Sequence, residues 1–301
     1  LDERGQSLPD YMPCNEALTL VGIEPEGSGK EVVLGSSDRG LIALIVPGVG
    51  WDCISNWLNA EGTATVHVRQ LGYDMHALKV DALSSSTNNA RQIRDGIMSM
   101  EHKDQEPNIV LIGYSKGAPD ILEAIVSYPE IRGHIAAVVS VAGSVGGSPL
   151  ANDATQSDIS LLRHWPDAQC SEGDGGAIES LRPATRKAWL ANNPLPEEIP
   201  YYSLVTYPKP ERISSILESS YDDLSQIDSR NDSQLLFYDQ IIPGSALVGY
   251  LNADHWAVVV PVARTHSTIG SMFVDQNNYP REALLEAMMR FVEEELSSAT
   301  K

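Results

Sequence analysis

The sequence predicts an α/β fold, with a mostly parallel central sheet and helices on both of its faces. Three observations carry this. Short β-branched apolar runs alternate with stretches of helical periodicity through the middle of the chain, the pattern of strands joined by crossover helices. Three runs, Leu41 to Val46, Ile109 to Ile112 and Ile135 to Ala142, are almost continuously apolar, as strands buried on both faces are. The second of them leads directly into Gly113-Tyr114-Ser115-Lys116-Gly117 and then into a helical pattern with Ile121, Leu122, Ile125 and Tyr128 on one face.

The remaining elements follow in order. Residues 1–30, with Pro9, Pro13, Pro25 and a Gly27-Ser28-Gly29 break, read as an irregular N-terminal extension to a domain spanning 31–301. Glu31 to Leu34 is a short strand candidate. Thr63 to Val68, rich in β-branched residues, reads as a strand leading to a polar turn at Gly72-Tyr73-Asp74. Ala90, Ile93, Ile97 and Met100 fall on one helical face. After Gly143 the alternation stops until about Pro200, with short helical pieces around Leu161-Leu162 and from Ala184 to Leu190. An insertion of about 147–200 between sheet strands has the place of a cap or lid, or of a packed helical excursion. Tyr201 to Thr206 and Ala246 to Leu251 resume the sheet, and Pro280 opens a final helix with Leu284, Met288, Phe291 and Leu296 on its apolar face.

Composition narrows the function classes. At 301 residues, 42% hydrophobic and 21% charged, the chain has the material for a sizeable core. The formal charge of −20, spread along the chain, repels polyanions and anionic membranes, so no nucleic-acid partner is expected. No run approaches the ~18 apolar residues of a membrane span. Cys14, Cys53 and Cys170 show no C-x-x-C and no zinc-like spacing with histidine, and allow one disulfide without specifying it. A first residue Leu1 suits a trimmed chain or a mature one that has lost a leader, so a secreted or periplasmic setting is compatible with the sequence and a cytoplasmic one is not excluded.

Chemistry centres on Ser115. Strand, tight turn and helix in that order are the context in which G-x-S-x-G forms a nucleophile elbow. The turn projects the hydroxyl above the sheet edge, the flanking glycines let strand and helix pass closely, and the helix N-terminus faces a developing oxyanion. The alternative is a glycine-rich turn holding an ordinary serine. A serine nucleophile needs a base and an acid that orients it. Of seven histidines, His255 follows the last strand, where the order Ser, acid, His puts the base; His266 is second choice, and His134, opening a strand, reads as structural. The acid belongs on a loop before His255, and Asp222, Asp223, Asp228, Asp232, Asp239 and Asp254 all qualify by position.

Gly113-Tyr114-Ser115-Lys116-Gly117, Gly147-Ser148-Pro149 with Ala151, Asn231-Asp232-Ser233-Gln234-Leu235 and Asp254-His255-Trp256 together resemble the α/β-hydrolase superfamily, and within it bacterial triacylglycerol lipases and related esterases. The resemblance implies that fold, with a helical cap. In those lipases an aspartate followed by glycine and an apolar residue is the catalytic acid, which maps to Asp232, so the implied triad is Ser115, Asp232 and His255. Asp239 is the alternative acid. Two departures stand out. Ser233 replaces the family glycine, and Trp256 and Ala257 follow the histidine where calcium-containing relatives carry an aspartate, so neither that calcium site nor any other metal or cofactor is expected.

By the same analogy the oxyanion donors are the N–H of Val49, in the Pro47-Gly48-Val49-Gly50 loop, and the N–H of Lys116, whose side chain is expected to pair with a carboxylate. Trp51 and Trp256, with Trp165 and Trp189, are candidate pocket residues. The expected activity is hydrolysis of small-molecule carboxylic esters. Thioester, amide or peptide cleavage by the same parts, or a non-catalytic binding role for the fold, are the alternatives. A dinucleotide enzyme is disfavoured because no G-x-G-x-x-G follows the first strand. Asn231-Asp232-Ser233 also spells a glycosylation sequon, read as unused because a glycan there would obstruct the acid.

Overall fold

In a computed structural model that describes residues 8–23, 35–51, 53, 63–100, 107–155, 171, 173–265 and 274–299, six strands form one sheet. They are β1 (Ile42–Val46), β2 (Asp74–Ala77), β3 (Ile109–Tyr114), β4 (Ile135–Val141), β5 (Tyr201–Thr206) and β6 (Ala246–Leu251). Their order is β2-β1-β3-β4-β5-β6, and every neighbouring pair is parallel. The helices among the described residues are α1 (Thr63–Arg69), α2 (Ser86–Met98), α3 (Gly117–Ser127), α4 (Ala177–Leu181), α5 (Pro183–Asn192), α6 (Glu218–Ser225), α7 (Val262–Thr265) and α8 (Arg281–Ala299).

The sheet separates two apolar layers. Alternation along β3 sends Val110, Ile112 and Tyr114 into one, with Val68 of α1 and Leu285, Met288, Met289 and Val292 of α8. Ile109 and Leu111 enter the other, with Ile93 and Ile97 of α2 and Ile121 and Ile125 of α3. Both β3 and β4 are buried along their whole length, which is why their sequences run apolar without alternating. The expected parallel sheet with helices on both faces is therefore the observed one.

One element differs. Thr63 to Val68 is helical, and the strand comes later, at Asp74–Ala77, across what reads as a polar turn. Tertiary contacts override the β-branched composition here. Val68 is fully buried while Val66 stays half exposed, and His67 Nε2 meets Glu286 of α8 at 2.8 Å. The helix is closed by Gly72, whose φ of +88° suits the left-handed position of a Schellman cap. The Gly72 N–H reaches the Arg69 carbonyl at 3.1 Å and the Tyr73 N–H the Val68 carbonyl at 3.2 Å. Gly72 is thus a helix stop followed by a strand.

From β1 the chain crosses to β2 on one side, and from β2 it returns to β3 on the other. The carboxyl ends of β1 and β3 are therefore the switch point of the sheet, where a crevice opens between diverging connections. Ser115 follows β3 and Pro47-Gly48 follows β1. A Cβ on Gly48 would lie 2.8 Å from the Ser115 Cβ, so the two loops meet over the serine.

Two further stretches frame this edge. Residues 8–23 are stitched to the rest of the chain. Leu18 bridges Leu251 of β6, and the buried Asp10 accepts from Arg264 at 2.6 and 2.7 Å and from Arg281. Between β4 and β5, the excursion docks at the carboxyl edge of the sheet, the edge that carries Ser115. Asp174 accepts the Ser85 N–H at 2.7 Å, the Ser86 N–H donates to Ser180 Oγ at 2.9 Å, and Arg186 Nε donates to the Val145 carbonyl at 3.1 Å. Trp189 and Leu190 of α5 pack into the α2–α3 layer. Residues 31–34 and 156–170, with the first strand candidate and the Leu161-Leu162 piece, lie outside the described residues.

Candidate active site

Ser115 has a φ of +54°, a left-handed conformation that a serine adopts only when its surroundings impose it. Its N–H donates to the Val141 carbonyl at 3.3 Å, and its carbonyl accepts from Ala118 at 3.2 Å and Ser144 at 2.9 Å, so the turn is pinned on three sides. The flanking glycines permit the approach. A Cβ on Gly113 would sit 2.6 Å from the Ala118 Cα, and one on Gly117 only 1.9 Å from the Val46 carbonyl oxygen. Neither space admits a side chain.

His255 lies on the loop after β6. Its Nε2 is 2.9 Å from Ser115 Oγ, and its Nδ1 is 2.8 Å from Asp232 Oδ2. An ionised carboxylate only accepts, so Nδ1 carries the proton and Nε2 presents its lone pair to the serine hydroxyl. The ring is held from two more directions. Tyr114 stacks against it with centroids 5.3 Å apart and donates its hydroxyl to the His255 carbonyl at 2.7 Å, and the His255 N–H reaches the Asp232 carbonyl at 2.9 Å.

Asp232 is fully buried. Its Oδ1 accepts the N–H groups of Gln234 at 3.0 Å and Leu235 at 2.7 Å, and its Oδ2 accepts from His255 and from the Thr206 hydroxyl. The loop that carries it is built by Asn231, also fully buried. That side chain accepts the Ser233 N–H at 2.9 Å and donates to Ser225 Oγ at 3.0 Å and the Asp228 carbonyl at 3.1 Å. The sequon asparagine is thus enclosed by its own loop, with no room for a glycan. Ser233 has a φ of +79°, which accounts for glycine at this place in the lipases the motif resembles.

The two expected oxyanion donors stand on the switch-point loops. Among the described residues neither the Val49 nor the Lys116 N–H has a hydrogen-bond partner, and Lys116 is the cap residue of α3. The Lys116 side chain turns away from the serine and is buried on Asp120, at 2.7 and 2.8 Å from its two oxygens, while Asn89 donates to Asp120 at 2.7 Å. Trp51 and Trp256 are half-buried and pack against a small cluster of Val260, Val262 and Val274. Cys53, next to this loop, is disulfide-bonded, which anchors it.

The other acids are placed elsewhere. Asp222 and Asp223 are exposed on α6. Asp239 lies in a 3-10 turn (Phe237–Gln240), and its backbone carbonyl accepts the Gly146 N–H at 2.7 Å. Asp254 holds the histidine loop, accepting from Ser214 at 3.0 Å, Trp256 at 3.0 Å and Ala257 at 2.8 Å, and burial raises its pKa from the ordinary aspartate value, against the lowering effect of these bonds. His266 and Trp165 lie outside the described residues. No group of three or more His, Cys, Asp or Glu among the described residues is arranged to hold a metal ion, and no helix among them is long and apolar enough to cross a membrane. Thr206, Gln240 and Tyr114 also border this site, and the sequence assigns none of them a part in it. Tyr114 is the variable letter of G-x-S-x-G, and Thr206 and Gln240 meet only through space.

No protein-family model matches the chain, nor does any curated protein. Among solved structures, a metagenomic carboxyl esterase, MGS0156, superposes with a TM-score of 0.85 at 37% identity, over 97% of this chain and 88% of that one. The mature form of the Bacillus licheniformis lipase BlEst2 gives a TM-score of 0.59 at 15% identity, over 80% of this chain and 95% of that one. The Staphylococcus hyicus lipase gives 0.59 at 12% identity, over 88% of this chain and all (100%) of that one. At those lower identities the likeness is one of fold.

Proposed function

The chain belongs to the α/β-hydrolase superfamily, and from this premise we propose that it is a serine hydrolase of carboxylic esters that works through an acyl-enzyme on Ser115. The observation that carries the reading is the hydrogen-bonded line from Ser115 Oγ through His255 to the buried Asp232. The carboxyl esterase named above, at 37% identity, supports the ester as the substrate class.

In this mechanism Ser115 Oγ attacks the ester carbonyl as its proton passes to His255 Nε2. The carbonyl oxygen becomes an oxyanion between the Val49 and Lys116 N–H groups, with the positive end of α3 behind the second. Asp232 keeps the imidazole in the tautomer that can accept a proton and stabilises the imidazolium. Collapse of the intermediate expels the alcohol, which takes the proton from His255, and leaves an ester on Ser115. Water then attacks that ester, giving its proton to His255. The acid departs and the proton returns to the serine. Trp51 and Trp256, with the valines behind them, supply an apolar wall for an acyl chain, and the excursion between β4 and β5 is the cap that borders the crevice.

The test is Ser115→Ala. It is expected to abolish labelling by a fluorophosphonate probe and to lower hydrolysis of a short-chain ester by about 10³-fold or more, in folded protein. Activity within tenfold of the parent would sink the assignment. A panel of esters of increasing acyl length, set beside a matched thioester and amide, defines the leaving group and pocket depth.

A further inference from the structure

We propose that Thr206 is a positioning residue for this chemistry: its hydroxyl donates to Asp232 and so sets the basicity of His255. The inference rests on the assignment of Asp232 as the acid. Thr206 is the last residue of β5 and is fully buried, as are Asp232 and Gln240. Its hydroxyl has two acceptors within reach, Asp232 Oδ2 and, at 2.9 Å, Gln240 Oε1. It has one proton. The orientation of the Gln240 amide is fixed by two bonds to the Thr206 backbone, since Oε1 accepts the Thr206 N–H at 2.8 Å and Nε2 donates to the Thr206 carbonyl at 3.0 Å. Oε1 is therefore an acceptor that already has a donor. The carboxylate is the stronger acceptor because it is charged, and it takes the proton.

Asp232 then has a donor on each lone-pair direction: two backbone N–H groups on Oδ1, the Thr206 hydroxyl and the His255 N–H on Oδ2. The hydroxyl and the imidazole share one oxygen. A donor there withdraws negative charge from the oxygen that faces His255, which weakens its hold on an imidazolium. Removing the donor leaves a more basic carboxylate and a histidine that keeps its proton to higher pH. Among the described residues Tyr114 stacks on the ring, Asp254 adjoins His255 in the chain, and Asp254 and Arg281 both act electrostatically on Tyr114; all three are unchanged in the variants below.

Thr206→Val tests this, because valine has nearly the same shape and leaves both Gln240 bonds to the backbone in place. The rate of fluorophosphonate labelling is measured against pH for the parent, Thr206→Val, Thr206→Ala and Thr206→Ser, with folding followed by circular dichroism. Labelling reads the serine–histidine pair whatever the natural substrate is. In the valine and alanine variants the acidic limb is expected to move to higher pH by about half a unit or more, and serine restores it. A limb in folded Thr206→Val or Thr206→Ala that coincides with the parent overturns the proposal, as does a shift that Thr206→Ser fails to reverse. Asp232→Asn and Ser115→Ala are measured alongside. If either labels at the parent rate, the triad reading itself falls; if both are silent and only the Thr206 prediction fails, the triad stands without this residue.

Discussion

Asp232 and Asp239 lie on neighbouring turns of one segment, both are buried, and they differ in what their oxygens meet. Around Asp232 the chain directs two N–H groups, a hydroxyl and an imidazole at the carboxylate. Around Asp239 burial dominates and raises the pKa, offset only in part by the attraction of Lys187. An aspartate serves a histidine when donors fix its two oxygens and keep it ionised. Enclosure alone pushes it toward the neutral form, which cannot do that work. The contrast separates a carboxylate built for a charge from one that is merely enclosed.

The largest expected effect breaks this comparison if it fails. Asp232→Asn should lower ester hydrolysis by about two orders of magnitude or more relative to Asp239→Asn, because an amide can present its N–H to Nδ1 and trap the wrong tautomer. Both are measured on a short-chain ester with folding verified. If Asp239→Asn is the dead variant and Asp232→Asn nearly normal, the acid is misassigned, although Ser115 and His255 could stand.

Stability provides the next contrast. A Cβ on Gly146 would lie 2.4 Å from Asp239 Oδ1 and 3.1 Å from its Cα, so the Asp239 turn is pressed against the loop that follows β4. Gly146→Ala should lower Tm by about 5 °C, the effect of overpacking by about 1–3 kcal/mol in a domain of this size. In an Asp239→Ala background part of that loss should be recovered, because the nearest of the two obstructions is gone. An equal loss in both backgrounds would place the strain in the backbone alone.

The pH dependence of stability sharpens the same point. The Asp239 pKa is raised in the folded state, so the stability this group contributes below its unfolded pKa, about 3.9, is lost as pH rises through its folded pKa. Asparagine does not titrate. The Tm of Asp239→Asn minus that of the parent should therefore increase as pH rises from about 3.9 and level off above the raised folded-state pKa. Thermal melts across that range check it. A difference that is flat or falls with pH would show that Asp239 is held ionised.

The tight turn at Ser115 was legible in the sequence because its constraints are local. Gly113 and Gly117 mark the two places where strand and helix backbones touch, and both lie within two residues of Ser115. The continuous apolar runs of β3 and β4 were legible for a related reason, since burial on both faces leaves its mark on every residue. Thr63 to Val68 was misread because β-branched composition reports a local preference, whereas the helix is set by burial of Val68 and by the Gly72 cap. His255 could be placed by chain order. Asp232 was one of six aspartates by position, and only the resemblance to lipases singled it out. What distinguishes it is the Thr206 hydroxyl and two backbone donors, and a pairing between β5 and a later loop leaves no periodic trace in a sequence.

The smallest expected effect concerns the residue after the acid. Ser233 holds a φ of +79°, where an L residue is strained by about 1–2 kcal/mol and glycine is not. Glycine loses about 0.5–1 kcal/mol of this advantage through the greater freedom of its unfolded chain. The turn itself does not depend on the side chain, because Asn231 Oδ1 accepts the backbone N–H of residue 233 at 2.9 Å. Ser233→Gly should therefore raise Tm by about 1–3 °C and leave ester hydrolysis within about twofold of the parent. Ser233→Val, β-branched in a left-handed turn, should lower Tm and activity together, since the turn presents the Gln234 and Leu235 N–H groups to Asp232. A fall in Tm with glycine would mean that the serine side chain contributes more to this loop than its backbone costs, and that the lipase-like glycine is no better suited to this place than the residue the chain carries.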